Sequence, residues 1–423
     1  MIGAAVLSAL HDAVGPEGVW FGAHLAAPTE LLVRDDAVAL ARGALGELGF
    51  VAVGPTWARL GADGVEALRV RAHPHFDELL EASGVVDGLV QPAARHQLLL
   101  AAERLVSDPA VETTEVVALA RQALQQDPDA WRAALKRGLD WGLWRALAHL
   151  ERGLAGASVT ATDRAEARRE LDRLRGPSEL VTAAPAVLAL SGVDGAGKSL
   201  QARALRDSLA RAGVPSAVEW TRVAADRRLD SIARPVARLT RALRRRPAGA
   251  VRSVQPPGAD PERSAARSLR EGSRLVGTVW AYVVVTLTAM SQRRATALHV
   301  KQGRTVIHDR YLVDAVVQLR DDYGVRCGRV ARALLRRLIP RPATAVLLLV
   351  SPEEALRRKE EQYGLADLER LTARYRRAAA ELDVTVVDGQ RPPDTISAEL
   401  FTLVWARLAQ DQTTSPSRSR STG

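Results

Sequence analysis

SGVDGAGKSL, residues 191 to 200, lies between the apolar run AVLAL (186–190) and the helix-like QARALRDSLARAG (201–213). Residues Gly192-Val193-Asp194-Gly195-Ala196-Gly197-Lys198-Ser199 fit the spacing G-x-x-x-x-G-K-[ST]. Glycines let the main chain wrap closely around an anion, with successive N–H groups turned inward. A helix starting there adds the positive end of its dipole. In such a loop Lys198 reaches the β- and γ-phosphates of a nucleotide, and the Ser199 hydroxyl can ligate Mg²⁺. The plain alternative is a glycine-rich turn and nothing more. The flanks argue against it: an apolar strand precedes, Ala202, Leu205 and Leu209 then share one helical face, and Gly213 and Pro215 end that helix.

The rest of the composition agrees with this loop. Arginine supplies 55 of the 59 basic residues, leaving only Lys136, Lys198, Lys301 and Lys359, so a lysine inside a glycine loop stands out. The net charge of +10 is uneven. Residues 1–180 hold 18 Lys+Arg against 25 Asp+Glu, a balance of −7, and residues 181–423 hold 41 against 24, or +17. The half with the loop therefore carries the field suited to an anionic partner.

At 423 residues the chain is long enough for two or three domains, each with its own core. A single cysteine, Cys327, excludes an internal disulfide framework and fits a reducing, cytoplasmic setting. The start, MIGAAVLSALHDAVG, lacks a basic n-region and is not read as a secretion signal. The longest apolar run, Leu275 to Met290, falls short of the ~20 residues of a spanning helix and reads as a buried one, so no integral membrane segment is expected.

A boundary is expected at RLRGPSELVTAAPA (173–186), where a charged helical pattern ends in Gly176-Pro177. Residues 1–175 form one expected domain, 183–410 a second, and 411–423 a disordered tail. In the first, GVWFGA and ELLVRDD read as strands, and DDAVALARGALGELGF as a helix closed by Gly49. After Gln91 the pattern is helical, and Trp141, Trp144 and Ala148 are spaced to share one buried face. In the second, AVLAL, AVEWT, TVIHD, TAVLLLV and VTVVD are five strands separated by helices, which predicts a three-layer α/β domain with a parallel sheet. An arginine-rich insertion, residues 227–274, has 13 arginines against 4 acids and includes a mobile-looking loop.

Two further stretches add chemistry. TVIHDRYLVDAV places Asp309-Arg310-Tyr311 where a parallel strand ends, the edge at which ligands of open α/β sheets collect. A carboxylate there can hold a metal or its water, and an arginine can grip a phosphate in bidentate fashion; a surface ion pair is the bland reading. After the fourth strand, SPEEALRRKEEQYGLADLERL starts a helix with Ser351 and Glu354 as a capping box and Pro352 at the first position. Its Arg357, Arg358 and Lys359 suit a basic lid that excludes water and brings charge to a transferring group, or else a solvated helical face.

Taken together, GVDGAGKS, the strand-end DRY preceded by GRTVIH, and LLLVSPEEALRRK make residues 185–410 resemble the thymidylate kinase family of P-loop nucleoside monophosphate kinases. The resemblance implies transfer of the ATP γ-phosphate to a nucleoside monophosphate, dTMP by family default, or to a similar small phosphorylated acceptor. ATP and Mg²⁺ would be cofactors and nucleotide biosynthesis the setting. It further implies that residues 192–199 bind ATP, that Lys198, Asp309, Arg310 and Arg358 are catalytic, and that Ser199 and Asp309 hold the metal. Asp194, Arg222 and Tyr311 would meet the acceptor, with Arg357, Arg358 and Lys359 in the lid. Two departures stand out: the helix stretch VWAYVVVTLTAM lacks the family's charged acceptor contact, and EWTRV lacks the usual continuation of a thymidylate pocket.

The first half resembles a nucleotidyltransferase-like domain more weakly. Pro28-Thr29-Glu30 supplies one carboxylate where two are needed, and Gly22-Ala23 replaces the usual start, so a degenerate, noncatalytic domain is expected. His73 and His75 lack a third ligand and read as surface residues rather than a metal pair. The sequence does not fix the oligomeric state, and a homodimer is one assembly compatible with it. Nucleic acid is not an expected partner, because the arginine run has no interleaved aromatics. The competing function is a noncatalytic ATP-binding switch or scaffold whose basic insertion touches an anionic partner.

Overall fold

The computed structural model describes residues 4–15, 18–22, 28–61, 64–86, 89–108, 111–175, 184–220, 274–323, 337–358 and 364–414. The chain divides into two compact units. One comprises Met1–Pro185 with Ala204–Ser216 and Ser397–Gly423; the other comprises Ala186–Arg203 and Ala217–Ile396.

The first unit opens with α1 (Ala4–Val14), β1 (Val19–Phe21), β2 (Thr29–Val33) and α2 (Val38–Glu47). Then come β3 (Val51–Val53), β4 (Thr56–Gly61), β5 (Gly64–Ala72), α3 (Phe76–Glu81) and the hairpin β6 (Gly84–Val86) with β7 (Leu89–Gln91). Its five-stranded sheet has the order β1-β2-β5-β4-β3, with β2 and β5 parallel and the other pairs antiparallel. Strands β1 and β2 and helix α2 lie where sequence patterning put them. Gly49, at φ +80°, ends that helix region as expected of a residue free to turn left-handed.

Five helices follow: α4 (Ala94–Ser107), α5 (Thr113–Gln126), α6 (Ala130–Asp140), α7 (Trp144–Leu154) and α8 (Ala161–Arg175). Helix α4 is buried from Leu98 to Ser107 without a polar stripe, because the other four pack around it. The shared tryptophan face does not form. Gly142, at φ +68°, breaks the segment into α6 and α7, so Trp141 is buried while Trp144 and Ala148 are exposed. Leu143, Ala146, Leu147 and Leu150 supply the buried face instead. Trp144 turns outward and donates its indole N–H to Glu170 (3.0 Å).

The histidines also differ from expectation. His73 is buried rather than exposed. His75 stacks on Trp141 with ring centres 4.4 Å apart, and His96 stacks on it at 5.7 Å. The histidines serve the core, and among the described residues no group of three or more His, Cys, Asp or Glu side chains could hold a metal.

The second unit holds β8 (Val187–Ser191), α9 (Lys198–Arg211), β9 (Ser216–Trp220), α10 (Arg274–Lys301), β10 (Thr305–Asp309) and α11 (Leu312–Tyr323). It continues with β11 (Thr344–Leu349), α12 (Pro352–Arg358), α13 (Leu365–Leu382), β12 (Thr385–Asp388) and α14 (Pro393–Thr414). Helices α9 and α14 each run on into the first unit. All five expected strands form, in the order β12-β11-β8-β10-β9. β8 is central, parallel to both β10 and β11, and β11 is parallel to β12. Because β10 and β11 flank β8 on opposite sides, the chain leaves β8 at a switch point, where open α/β sheets form a ligand crevice.

The apolar run 275–290 lies in α10; farther along, Ala289, Gln292 and Thr296 turn inward while Met290 is exposed. Among the described residues no helix is long and apolar enough to cross a membrane. Helix α14 extends to Thr414, so Asp411–Thr414, expected in a disordered tail, are helical. The insertion up to residue 273, with its expected loop, and residues 415–423 lie outside the described residues.

Candidate functional site

The site begins where β8 ends. Gly192, Gly195 and Gly197 take φ of +151°, +89° and +86°, and α9 starts at Lys198. Only glycine fits at 192, because a Cβ there would come within 2.5 Å of the Leu348 carbonyl oxygen. The loop passes that close to β11 and returns its amides to the helix start. Lys198 is buried, and its ammonium donates to the carbonyls of Gly192 and Val193, each at 2.8 Å. Asp194 Oδ1 lies 3.7 Å from the same nitrogen. Burial pulls the Lys198 ammonium below its ordinary pKa, with the charge of Asp314 as the largest opposing influence.

Strand β10 brings the second set. Its register sets Asp309 beside Leu190, at the end of β8. Ser199, in the first turn of α9, donates its hydroxyl to Asp309 Oδ2. The other carboxylate oxygen, Oδ1, is buried without a hydrogen-bond partner. A hydroxyl beside a carboxylate with an unmet oxygen is the donor set of a hard, oxygen-seeking cation such as Mg²⁺. Arg310 stands at φ +82°, a strained conformation for a non-glycine residue. From it the guanidinium pairs with Asp194 Oδ1. Burial lowers the Arg310 pKa, but the charges of Asp194 and Asp314 outweigh it and the net shift is upward.

Tyr311, expected to touch an acceptor, does not face one. It is wholly buried, donates its hydroxyl to the Pro340 carbonyl (2.9 Å) and stacks on His308 at 4.3 Å. An aromatic ring after an Asp-Arg pair is apolar enough to join the core, and here it anchors the start of α11. Burial pushes its hydroxyl pKa up.

Arg357 and Arg358, expected in a lid, separate in character. Helix α12 begins at Pro352, and Ser351 Oγ accepts the Glu354 N–H (3.2 Å), as the capping pattern predicts. Arg357 is 75% exposed and holds both oxygens of Glu354. Arg358 shares that carboxylate through Nε, and its Nη1 reaches back to the carbonyls of Gly389 (3.2 Å) and Gly195 (3.4 Å). Hydrogen bonds from both arginines hold the Glu354 pKa down at about 2. Arg222 and Lys359 lie outside the described residues.

Thus Lys198, Ser199, Asp309, Arg310, Asp194 and Arg358 converge on one loop. Sequence reading missed two others. Asp314 is buried, accepts the Tyr311 N–H through Oδ2 (3.1 Å), and accepts the Tyr375 hydroxyl through Oδ1 (2.9 Å). Its place three residues after Tyr311, at a helix start, was a legible capping signal. Nothing local announces Tyr375, which comes from α13.

In the first unit, Glu30 is buried and accepts from Arg71 Nε at 3.0 Å, with Arg104 Nε 3.8 Å from its other oxygen. Burial raises its pKa, yet Arg71, Arg104 and Arg69 together bring it below the ordinary value. The carboxylate on β2 is neutralised by buried arginines, whose positive charge opposes a metal ion there.

The strand order, loop and strand-end residues give the second unit a P-loop kinase-like α/β fold. No family model matches the sequence, and no curated protein does. Among solved structures, deoxyadenosine kinase from M. mycoides with bound dATP is similar over 52% of this chain and 99% of that chain, at 13% identity and a TM-score of 0.31.

Proposed function

We propose that this chain is an ATP-dependent phosphotransferase of the thymidylate kinase type, passing the γ-phosphate to a nucleoside monophosphate or a similar small phosphorylated acceptor. The observation that carries the reading is the meeting of Lys198 and Ser199 with Asp309 and Arg310 at the end of the central strands. Loop amides and Lys198 would hold the triphosphate, and Ser199 and Asp309 would hold Mg²⁺, which neutralises charge on the phosphates. Arg310 pairs with Asp194 of the loop and Arg358 reaches the Gly195 carbonyl, so both would be at hand for charge that builds on a transferred group. An acceptor phosphate oxygen is already a nucleophile, so positioning and neutralisation suffice without a strong base. Glu30, sealed by arginines, supports reading the first unit as a degenerate nucleotidyltransferase-like, noncatalytic partner.

The test is ADP release from Mg-ATP across a panel of nucleoside monophosphates and sugar phosphates. Release with at least one acceptor is expected; release with none overturns the proposal. A second reading, a noncatalytic ATP switch, is favoured by the uncharged stretch VWAYVVVTLTAM in α10. It requires an Arg310→Ala variant to keep full cellular function while losing turnover.

A further inference from the structure

Arg310 pairs with the loop from a left-handed backbone, a strained conformation that the surroundings must over-determine. Two hydrogen bonds do this. The Arg310 N–H donates to the Leu190 carbonyl (3.0 Å), which continues the β8–β10 ladder past its last strand residue. The next N–H, of Tyr311, donates to Asp314 Oδ2 (3.1 Å). The turn is clamped immediately before and immediately after the strained bond.

Asp314 is itself held from elsewhere. Its second oxygen accepts the hydroxyl of Tyr375, a residue 61 positions away on α13. Helix α13 packs against α11 and also against α12, the helix that bears Arg358. Helix α13, which packs against α12, is therefore joined by hydrogen bonds of Tyr375 and Asp314 to the turn that holds Arg310. The same carboxylate is the largest charge influence raising the buried Lys198 ammonium, and it ranks next after Asp194 in raising the guanidinium.

We propose that Asp314, held by Tyr375, is a positioning residue for phosphoryl transfer: it fixes the left-handed turn that presents Arg310 to the loop and ties that turn to the helices of the lid. The proposal rests on the kinase reading for its catalytic consequence, and on the hydrogen bonds alone for its structural one. Asp314 contacts no reacting atom. Its effect passes through Arg310, so it falls on the rate of transfer rather than on capture of ATP.

Three variants of the full chain separate the possibilities: Asp314→Ala, Asp314→Asn and Tyr375→Phe. Asp314→Ala should lower kcat by about 100-fold, the scale of a displacement of about 1 Å at a reacting centre, with the KM for ATP within about threefold of the unaltered chain. Asp314→Asn keeps an oxygen for the Tyr311 N–H and should recover about tenfold of that loss. Tyr375→Phe should cost less than Asp314→Ala. Should Asp314→Ala fail to fold, the other two variants decide the matter by the same split of kcat from KM. Crystal structures of the variants give a reading independent of turnover: in Asp314→Ala the Arg310 φ should leave the left-handed region and its pair with Asp194 should break. An Arg310 still left-handed and paired with Asp194 in that variant, or kcat, KM and melting temperature that all move together, overturns the proposal. If the unaltered chain phosphorylates no acceptor, the kinase reading alone fails and the crystallographic arm still decides this one.

Discussion

Ser199 and Asp309, 110 residues apart in sequence, are joined by a hydrogen bond from the hydroxyl of one to a carboxylate oxygen of the other. The contact fixes the first turn of α9 against the end of β10, and it leaves Asp309 Oδ1 buried and unmet. On the kinase reading proposed above, this pair would hold the divalent cation.

Ser199→Ala should therefore raise the Mg²⁺ concentration needed for half-maximal turnover by about tenfold, and Asp309→Asn should lower kcat by about 100-fold. Titrating Mg²⁺ at fixed ATP separates the two. A variant pair with unchanged Mg²⁺ dependence would move the metal elsewhere.

The lid arginines should not be equivalent. Arg357 is exposed and bound only to Glu354 among the contacts described above, so Arg357→Ala should change kcat by less than about twofold. Arg358 reaches the Gly195 carbonyl, and Arg358→Ala should lower kcat by about 10- to 100-fold. Steady-state rates of the two variants side by side are the check, and equal losses would contradict the assignment.

Gly192→Ala should destabilise the chain by about 2–4 kcal/mol and abolish ATP binding, since a Cβ would collide with the backbone of β11. Urea unfolding and calorimetric titration with ATP measure the two effects. Native stability in this variant would mean that the loop is looser than its contact with Leu348 implies.

A pH effect is expected in the first unit. Arg137 grips both oxygens of Glu78 (2.6 and 2.8 Å), and His96 lies 3.1 Å from one of them. The Arg137 hydrogen bonds are the main cause holding the Glu78 pKa at about 2. A depressed carboxylate contributes stability above its unfolded pKa of about 4.5 and loses it as pH falls towards about 2. The melting temperatures of the unaltered chain and Glu78→Gln should differ at pH 5 and converge near pH 2. A gap that widens on acidification would reverse the sign and refute the linkage.

Most of the second unit was legible because its signals are local. A glycine loop needs certain φ values, a parallel strand needs an apolar run, and Ser351-Pro352 needs a helix start; each can be read within a few residues. Tyr311 differs from its expected place because a residue next to catalytic candidates shares their neighbourhood in sequence but not in space: the left-handed turn at Arg310 redirects the chain after β10, and the ring packs into the core. Trp144 failed for a different reason. Helical spacing was extended across Gly142, where a left-handed residue resets the phase. Tyr375 was illegible because its meaning lies in a contact between helices.

The arginines around Glu30 have a consequence in sequence space. Replacing Arg71 or Arg104 alone removes part of the charge that keeps the buried Glu30 ionised, and replacing both leaves that carboxylate without a contacting cation, at a cost of about 3–5 kcal/mol. Substitutions at these positions are therefore coupled: Glu30 and its arginines can be exchanged as a set far more cheaply than one at a time.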